Sequence, residues 1–313
     1  MSQFAVVFPG QGSQSIGMQA ALFDAFDIVR DTYTEASDTL GVDFAALRDR
    51  GPEADINATE NTQPLLLTAG VAVWRAYLEA GGKPPAFMAG HSLGEYTALT
   101  NAGAFSFADA LRIVRARGQF MQEAVPAGEG AMAVVLGLDD DSVRRVCAAV
   151  TDGDDLAAAV NFNAPGQVAI AGTRGAIERA IESAKENGAR RAMLLPVSVP
   201  SHCALMQPAA ERLADALGGV AIAAPGVPVI NNVDVAVSAD ADAIRDALLR
   251  QLYSPVRWVE TVASLAGHGV ATLAEFGPGK VLTGLARRID KSLGAECIDS
   301  PDTLSALAAR EDT

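Results

Sequence analysis

A serine framed by two glycines joins an apolar segment of the chain to a helical one. The motif occupies residues 90–94, with the sequence Gly-His-Ser-Leu-Gly, and it follows the apolar run 86–89. Two glycines allow the sharp strand-to-helix turn that exposes the hydroxyl of Ser92 above the end of the strand. The positive N-terminus of the following helix then lies beside that hydroxyl. We therefore predict that Ser92 is a nucleophile, while a plain N-cap serine is the simpler interpretation.

Apolar runs alternate with helical segments over most of the chain. Residues 4–8 form a continuous apolar run that ends at Pro-Gly, which is typical of a strand buried on both faces. Between residues 131 and 195 the order becomes strand, helix, strand, strand, helix, strand. We predict an α/β domain with a mainly parallel sheet, residues 1–126 and 198–313, into which a ferredoxin-like βαββαβ unit, residues 127–197, is inserted.

The composition excludes several classes of protein. The chain has 313 residues, and half of them are hydrophobic, which provides for a large core. Its 24 Lys and Arg oppose 38 Asp and Glu, so the formal net charge is -14. Nucleic-acid phosphates and anionic lipids attract basic surfaces, so this charge argues against nucleic acid and membranes as partners. An acidic protein partner would have to meet a local basic patch.

The three cysteines indicate a reducing compartment. Cys147, Cys203 and Cys297 are odd in number and lack Cys-x-x-Cys spacing, which argues against a disulfide framework or a zinc site. We therefore expect a cytoplasmic protein, and the five-residue apolar run near the N-terminus is too short for a signal peptide. No metal-ligand spacing occurs, and the glycine-rich loop 9–14 lacks the lysine of a phosphate-binding loop. No metal and no cofactor are expected.

A serine nucleophile needs a base, and the sequence offers three histidines. His91 adjoins Ser92 on a tight turn, where neighbouring side chains project in different directions. We therefore expect His91 to pack in the interior or to hydrogen-bond to residues that support the site. His268 lies between glycines at the predicted end of a helix, where histidines often interact with the helix dipole. His202 follows an apolar strand in a loop stiffened by prolines. Elimination favours His202 as the base.

Three further features bear on the predicted reaction centre: an alternative nucleophile, the group that orients the base, and the oxyanion hole. Cys203 is an alternative nucleophile, but no glycine turn frames it, and free cysteines are commonly small buried hydrophobes. No Asp or Glu stands out as the group that orients His202, and a backbone carbonyl could do so. An oxyanion hole needs backbone N–H groups, for which we predict Leu93, directly after the serine, and Gln11 in the glycine-rich loop.

One cation interrupts an apolar helix face. An apolar stripe runs along the predicted helix 107–123, and Arg117 falls inside it. A charge on such a face is rarely buried without a partner. Arg117 is therefore either half of a structural ion pair with a buried carboxylate or a clamp for the carboxylate of a substrate, which the planar guanidinium can bind through two hydrogen bonds.

Taken together, these segments resemble the malonyl-CoA:acyl carrier protein transacylase family of type II fatty acid synthesis. The resemblance runs in order over nearly the whole chain. Its motifs are Pro9-Gly-Gln-Gly-Ser-Gln14, Gly90-His-Ser-Leu-Gly-Glu-Tyr96, Arg117, Asn161-Phe-Asn163, Pro200-Ser-His-Cys203, Asn231-Asn-Val233 and Gln251-Leu-Tyr-Ser-Pro-Val256.

The resemblance implies a fold, a reaction and roles for individual residues. The fold is an α/β-hydrolase-like domain with a ferredoxin-like insert. In the reaction, Ser92 takes the malonyl group from malonyl-CoA with His202 as base, and the phosphopantetheine thiol of acyl carrier protein then receives it. Arg117 matches the arginine that holds the malonyl carboxylate, and Gln11 and Leu93 match the oxyanion hole.

The resemblance also implies which residues support the base. Gln251 matches the residue whose backbone carbonyl orients the histidine, and His91 and Asn163 are expected in supporting positions. Coenzyme A is a substrate here and no cofactor is implied. Because acyl carrier proteins of this kind are acidic, docking on this acidic chain needs a local cationic rim. The candidates are Arg190, Arg191, Lys280, Arg287, Arg288 and Lys291.

Other classes of function share parts of this pattern. A serine hydrolase or thioesterase would use the same serine, histidine and oxyanion hole but has no reason to bury Arg117 beside its acyl pocket. An acyltransferase for bulkier acyl groups and the transacylase subunit of a malonate-decarboxylating complex are nearer alternatives. A non-catalytic carrier-binding protein fits least well, because the predicted site is intact.

Overall fold

The computed structural model describes residues 3–197 and 199–310. Within them lie nine strands: β1 (Gln3–Phe8), β2 (Phe87–Gly90), β3 (Gly130–Leu136), β4 (Ala157–Ala164), β5 (Gln167–Thr173), β6 (Arg191–Leu194), β7 (Val229–Ile230), β8 (Val270–Phe276) and β9 (Gly294–Ile298).

The same residues contain fourteen α-helices. They are α1 (Ala20–Ala25), α2 (Asp27–Leu40), α3 (Phe44–Arg50), α4 (Glu53–Asn57), α5 (Thr59–Glu79), α6 (Leu93–Asn101), α7 (Phe107–Glu123), α8 (Asp140–Val150), α9 (Arg174–Glu186), α10 (Gln207–Gly218), α11 (Ala241–Gln251), α12 (Trp258–Gly267), α13 (Val281–Ile289) and α14 (Pro301–Ala308).

The larger sheet is parallel throughout and buried on both faces. Its strand order is β7-β2-β1-β8-β9, with parallel pairing at every neighbour. Along β1, Val6 and Phe8 enter the core on one face, whereas Ala5 and Val7 enter a second core on the other. Because both faces are covered, the strand reads as an uninterrupted apolar run. This confirms the predicted α/β-hydrolase-like class with a mainly parallel sheet.

The smaller sheet is antiparallel and belongs to the predicted insert. Its order is β4-β5-β3-β6, and α8 and α9 connect its strands in the βαββαβ sequence of a ferredoxin-like unit. The apolar faces of the sheet and of both helices form a core of their own. The ferredoxin-like insert is thus confirmed as a fold, while the boundaries at 126/127 and 197/198 remain our proposal. Residues 1, 2, 198 and 311–313 of those ranges lie outside the described residues.

The sequence pattern was less accurate between residues 18 and 58. The spacing of apolar residues over 18–40 predicts one helical segment, but the structure has α1 and α2, separated by Phe26 with an extended backbone. Asp27 starts α2, where a carboxylate interacts favourably with the positive end of the helix. The short helices α3 and α4 were not anticipated. No helix in the described part of the chain has the length and apolar character needed to cross a membrane.

Helices α5 and α7 pack so closely that one glycine is required between them. A Cβ atom added at Gly118 of α7 would lie 2.7 Å from the Cα of Glu60 and 2.8 Å from the carbonyl oxygen of Thr59. Both neighbours are backbone atoms, which cannot move aside as a side chain can. Gly118 therefore sets the distance between these helices, and with it the depth at which the adjacent Arg117 is buried.

Gly118→Ala should destabilise the protein, because the methyl group must force α5 and α7 apart. We expect a loss of about 2–3 kcal/mol in the free energy of unfolding, measured by urea denaturation. The matched control is Gly284→Ala in α13, where nothing lies within 4 Å of the added Cβ. That control should be neutral or stabilising by up to ~1 kcal/mol. Equal stability of the two variants would contradict the close packing.

Candidate active site

Ser92 stands on a strained turn between β2 and α6. Its backbone has φ 52° and ψ -109°, which a residue with a side chain rarely adopts and which costs on the order of 1–3 kcal/mol. The glycines on either side are required by contact: a Cβ at Gly90 would lie 1.9 Å from the carbonyl carbon of Gly94, and one at Gly94 would lie 2.0 Å from the oxygen of Phe8. The motif thus forms the predicted elbow and raises the Ser92 hydroxyl over the sheet.

Asn232, which follows β7, ties the elbow to the neighbouring loop. Its Oδ1 accepts a hydrogen bond from the Ser92 amide at 2.7 Å, and its Nδ2 donates to the carbonyl oxygen of Gly90 at 2.7 Å. The side chain is completely buried. In the sequence it appears only within the motif 231–233, and its contact with the serine depends on the pairing of β2 with β7.

His202 lies in direct contact with the serine hydroxyl. Its Nε2 is 2.8 Å from Ser92 Oγ, and its Nδ1 is 2.7 Å from the backbone carbonyl oxygen of Gln251. Because a carbonyl only accepts, Nδ1 carries the proton and Nε2 is free to accept one from the serine. Burial, together with the nearby charge of Arg117, lowers the pKa of His202 to about 3, so the imidazole is neutral at physiological pH.

The other two histidines lie apart from this pair. His91 Nε2 is 2.8 Å from Asn163 Oδ1, so the elbow is linked to β4 of the small sheet, and burial lowers the pKa of His91. His268 ends α12, is exposed, and donates from Nδ1 to the carbonyl oxygen of Ser264 at 2.7 Å. Cys203 Sγ donates to the carbonyl oxygen of Pro200, and burial raises the pKa of its thiol to about 11.

Arg117 reaches the serine from α7 and is 1% exposed. Its Nη2 donates to Ser92 Oγ at 3.2 Å and to Gln251 Oε1 at 3.0 Å, and its Nη1 donates to Gln63 Oε1 at 2.8 Å. Within the described residues it makes no salt bridge, so the ion pair considered from the sequence is not formed with any of them. Its Nε is buried without an acceptor, and burial lowers its pKa. Neutral amides hold this cation beside the nucleophile.

Gln251 connects the serine, the base and the cation. Besides the carbonyl that accepts from His202, its side-chain Oε1 accepts from Arg117, and its Nε2 donates to the carbonyl oxygen of Ser92 at 3.0 Å. The same Nε2 donates to Glu95 Oε2 at 2.8 Å. The resemblance anticipated only the backbone contact of Gln251.

Glu95 is a second buried charge that sequence reasoning passed over. It lies one turn into α6, is 2% exposed, and accepts hydrogen bonds at Oε2 from the Gln251 side chain and from the Asn232 amide at 2.9 Å. Burial raises the pKa of Glu95 to about 7. Its position inside the quoted motif 90–96, as the one charged residue of α6, was the one available signal.

Gln11 and Leu93 line the same cleft as Ser92 and His202. In the described part of the chain, neither backbone N–H is taken by an acceptor. The loop that carries Gln11 rests on the elbow, because a Cβ at Gly10 would lie 2.5 Å from the carbonyl oxygen of His91. Two free backbone donors therefore lie in the cleft that holds the nucleophile, and their role as an oxyanion hole stays a prediction.

The cleft lies between the two sheets. Its walls combine residues of the larger unit with residues of the small one, and they are Gln11, Gln63, His91, Ser92, Leu93, Arg117, Met121, Met132, Asn161, Leu195, Val197, Val199, Ser201 and His202. Apolar side chains dominate the small unit's share. Within the described residues, no group of three or more His, Cys, Asp or Glu is arranged to hold a metal ion.

The six cationic candidates for carrier docking are all exposed. Arg190 and Arg191 lie at the start of β6, and Lys280, Arg287 and Arg288 lie on or beside α13. Arg288 donates to Gln167 Oε1 and to the carbonyl oxygen of Pro165, so it joins α13 to the small unit. Lys291 follows α13 in the chain.

Comparisons with known proteins agree with this geometry. The acyl transferase domain family matches residues 5–298. A malonyl CoA-acyl carrier protein transacylase of Salmonella typhimurium is 56% identical over 98% of this chain and 99% of its own length, and one of Bacillus subtilis is 46% identical over 97% and 96%.

Solved structures are equally similar. A malonyl-transacylase in complex with its type II PKS acyl-carrier protein superposes with a TM-score of 0.97 at 54% identity, over 98% of this chain and 99% of that one. An acyl carrier protein S-malonyltransferase of Vibrio cholerae superposes with a TM-score of 0.95 at 53% identity, over 98% and 100%. This chain belongs to the acyl transferase domain family and, within it, to the malonyl CoA-acyl carrier protein transacylases.

Proposed function

We propose that this chain transfers the malonyl group of malonyl-CoA to the phosphopantetheine thiol of an acyl carrier protein, through a malonyl ester on Ser92. The observation that carries the proposal is the position of Ser92 Oγ, 2.8 Å from a neutral histidine nitrogen and 3.2 Å from a buried arginine. The first contact serves acyl transfer in general, and the second selects an acyl group that ends in a carboxylate.

In the first half-reaction, coenzyme A leaves. His202 Nε2 takes the proton of the Ser92 hydroxyl as Oγ bonds to the thioester carbon, and the N–H groups of Gln11 and Leu93 bind the oxyanion. The C–S bond then breaks, and the imidazolium returns its proton to the thiolate of coenzyme A. Burial favours the neutral form of His202, which in turn favours this return of the proton.

In the second half-reaction, the carrier's thiol replaces coenzyme A. His202 takes the thiol proton, the sulfur attacks the serine ester, and Ser92 leaves as the proton returns to Oγ. The products are malonyl-carrier and free enzyme, so both substrates use one site in turn. Malonyl-carrier is the extender unit of fatty acid synthesis.

Arg117 fixes the free end of the acyl group. Its Nη groups meet neutral oxygens of Ser92, Gln251 and Gln63, so within the described residues no anion offsets its charge, which is available to the carboxylate of a substrate. A buried cation without an ion-pair partner is costly unless a ligand supplies the anion. A serine hydrolase or thioesterase has no use for this charge, so malonyl transfer accounts for the site better. The cytoplasmic location inferred from the cysteines stays a prediction.

Incubation with malonyl-CoA alone should add one malonyl group to the protein, detected by intact mass and located on Ser92 by peptide mapping. Ser92→Ala should give no adduct. His202→Ala should slow acylation by at least ~10³-fold, because the hydroxyl loses its base.

The control is His268→Ala, which removes an exposed histidine that bonds to its own helix and packs against Phe87, away from the cleft. It should acylate at the wild-type rate. An unmodified wild-type protein would refute the covalent route, and a slow His268→Ala with a fast His202→Ala would reverse our assignment of the base.

Arg117→Ala should lower kcat/KM for malonyl-CoA by at least ~10²-fold, because the carboxylate loses its partner. Acylation by acetyl-CoA, which has no carboxylate, should fall by less than about 5-fold. The measurement is single-turnover acylation with each thioester. Parallel losses for both would make Arg117 a structural residue.

We further propose that the acidic carrier docks on the cationic rim formed by Arg190, Arg191, Lys280, Arg287, Arg288 and Lys291. The net charge of -14 repels an acidic partner over long range, so association requires a local positive surface. Arg288 lies where α13 meets the small unit, beside a groove that shares Gln11, His91, Asn161 and Leu195 with the cleft.

Arg287→Glu combined with Arg288→Glu should raise KM for the carrier by about 5-fold or more at low salt, with the difference shrinking at high salt. Arg112→Glu combined with Lys185→Glu makes the same change of charge on exposed helices outside the cleft and should affect KM less. Equal KM values for the two double variants would remove the rim from the docking surface.

A further inference from the structure

The side-chain amide of Gln251 has one arrangement that satisfies its neighbours. On one side lie two acceptor oxygens, Glu95 Oε2 and the Ser92 carbonyl oxygen, and Nε2 donates a hydrogen bond to each. On the other side lies the guanidinium of Arg117, which only donates and meets Oε1. A flipped amide would set donors against the cation and an oxygen against two acceptors. Through this amide, the contact with Glu95 therefore determines which atom of Gln251 faces Arg117.

Glu95 is well placed to hold this arrangement. It is almost fully buried on the first turns of α6, and its Oε2 is shared between the Gln251 amide and the backbone N–H of Asn232. Asn232 in turn holds the elbow from the opposite side. Neither contact is made to the nucleophile's oxygen or to the base, so Glu95 touches no reacting atom.

Burying the Glu95 carboxyl group costs free energy, so its presence at this position needs an explanation. The carboxylate has no salt-bridge partner among the described residues, and burial raises its pKa. A hydrophobic residue would be cheaper to bury if only packing were required. What Glu95 adds is a side-chain oxygen that accepts from both Nε2 of Gln251 and the backbone N–H of Asn232.

We propose that Glu95 is a positioning residue for acyl-group specificity: by holding Nε2 of Gln251, it turns Oε1 toward Arg117 and fixes the guanidinium for the carboxylate of the acyl group. The inference rests on the proposed function, because it concerns how Arg117 selects a carboxylated substrate. With Glu95 removed, Nε2 keeps only its hydrogen bond to the Ser92 carbonyl, so the amide and the guanidinium that it holds are fixed less firmly. Acyl groups without a carboxylate do not depend on that alignment.

The test compares single-turnover acylation by malonyl-CoA and by acetyl-CoA in full-length variants. Glu95→Ala should lower kcat/KM for malonyl-CoA by at least ~30-fold and for acetyl-CoA by less than about 5-fold. Glu95→Gln, which can still present an oxygen to Nε2, should stay within about 5-fold of wild type for both. Equal losses for the two thioesters would show that Glu95 only supports the elbow through Asn232.

A double-mutant cycle with Arg117→Ala separates positioning from general damage. In the Arg117→Ala background, Glu95→Ala should change malonyl transfer by less than about 3-fold, because the residue it acts through is already missing. Fully additive losses would overturn the proposal. So would a Glu95→Gln variant as impaired as Glu95→Ala, because the acceptor oxygen is what the proposal assigns to Glu95.

Two further variants keep the test decisive. Thr100→Ala removes a buried hydroxyl from the same helix, one bonded only to the Tyr96 carbonyl, and should leave the malonyl-to-acetyl ratio at its wild-type value. If Glu95→Ala does not fold, Glu95→Asp keeps the charge but withdraws the oxygens from Nε2, and it should show the same malonyl-selective loss. A wild-type protein that malonyl-CoA fails to acylate would refute the proposed function, an outcome distinct from each of these.

Discussion

The contact between Gly94 and the carbonyl of Phe8 is the constraint on which the rest of the site depends. It leaves no room for a side chain, so α6 begins directly against the end of β1. Gly10, just beyond β1, also leaves no room for a side chain, because a Cβ there would lie 2.5 Å from the carbonyl oxygen of His91. Two turns that follow neighbouring parallel strands are thereby pressed together, and they carry the nucleophile and both candidate oxyanion donors. The strained backbone of Ser92 is tolerated because this packing over-determines it.

Neutral groups occupy the positions at which a buried charged side chain usually has an oppositely charged partner. A backbone carbonyl, with no acidic side chain, orients His202, and amide oxygens of Gln63 and Gln251 hold Arg117. A carboxylate in contact with Arg117 would neutralise the cation and compete with an anionic substrate. Amides position it while leaving its charge uncompensated. The nearest carboxylate, Glu95, is kept one hydrogen bond away, with Gln251 between them.

The sequence predicts the fold and the reacting groups better than it predicts the residues that hold those groups in place. The alternation of apolar runs with helical segments predicted both sheets, because buried parallel strands and a βαββαβ order give patterns that extend over long segments of the sequence. Ser92 lies in a glycine-framed turn, and Arg117 interrupts an apolar stripe. Each could therefore be identified from its local sequence alone. Asn232, Gln63 and Glu95 could not, since their partners lie 54 to 156 residues away and are set by strand pairing and helix packing. The helices α3 and α4 are too short to show a period.

The order of the strands also has a consequence for how the enzyme is made. β1 is central in the larger sheet, yet one of its neighbours, β8, is translated only after the whole small unit. Gln251 likewise follows Ser92 by 159 residues. At about 5–20 residues per second, a ribosome takes roughly 10–30 s to cover that interval. Throughout it, the nascent chain carries a serine without an oriented base, so the growing polypeptide has no means of acylating itself before its C-terminal third emerges.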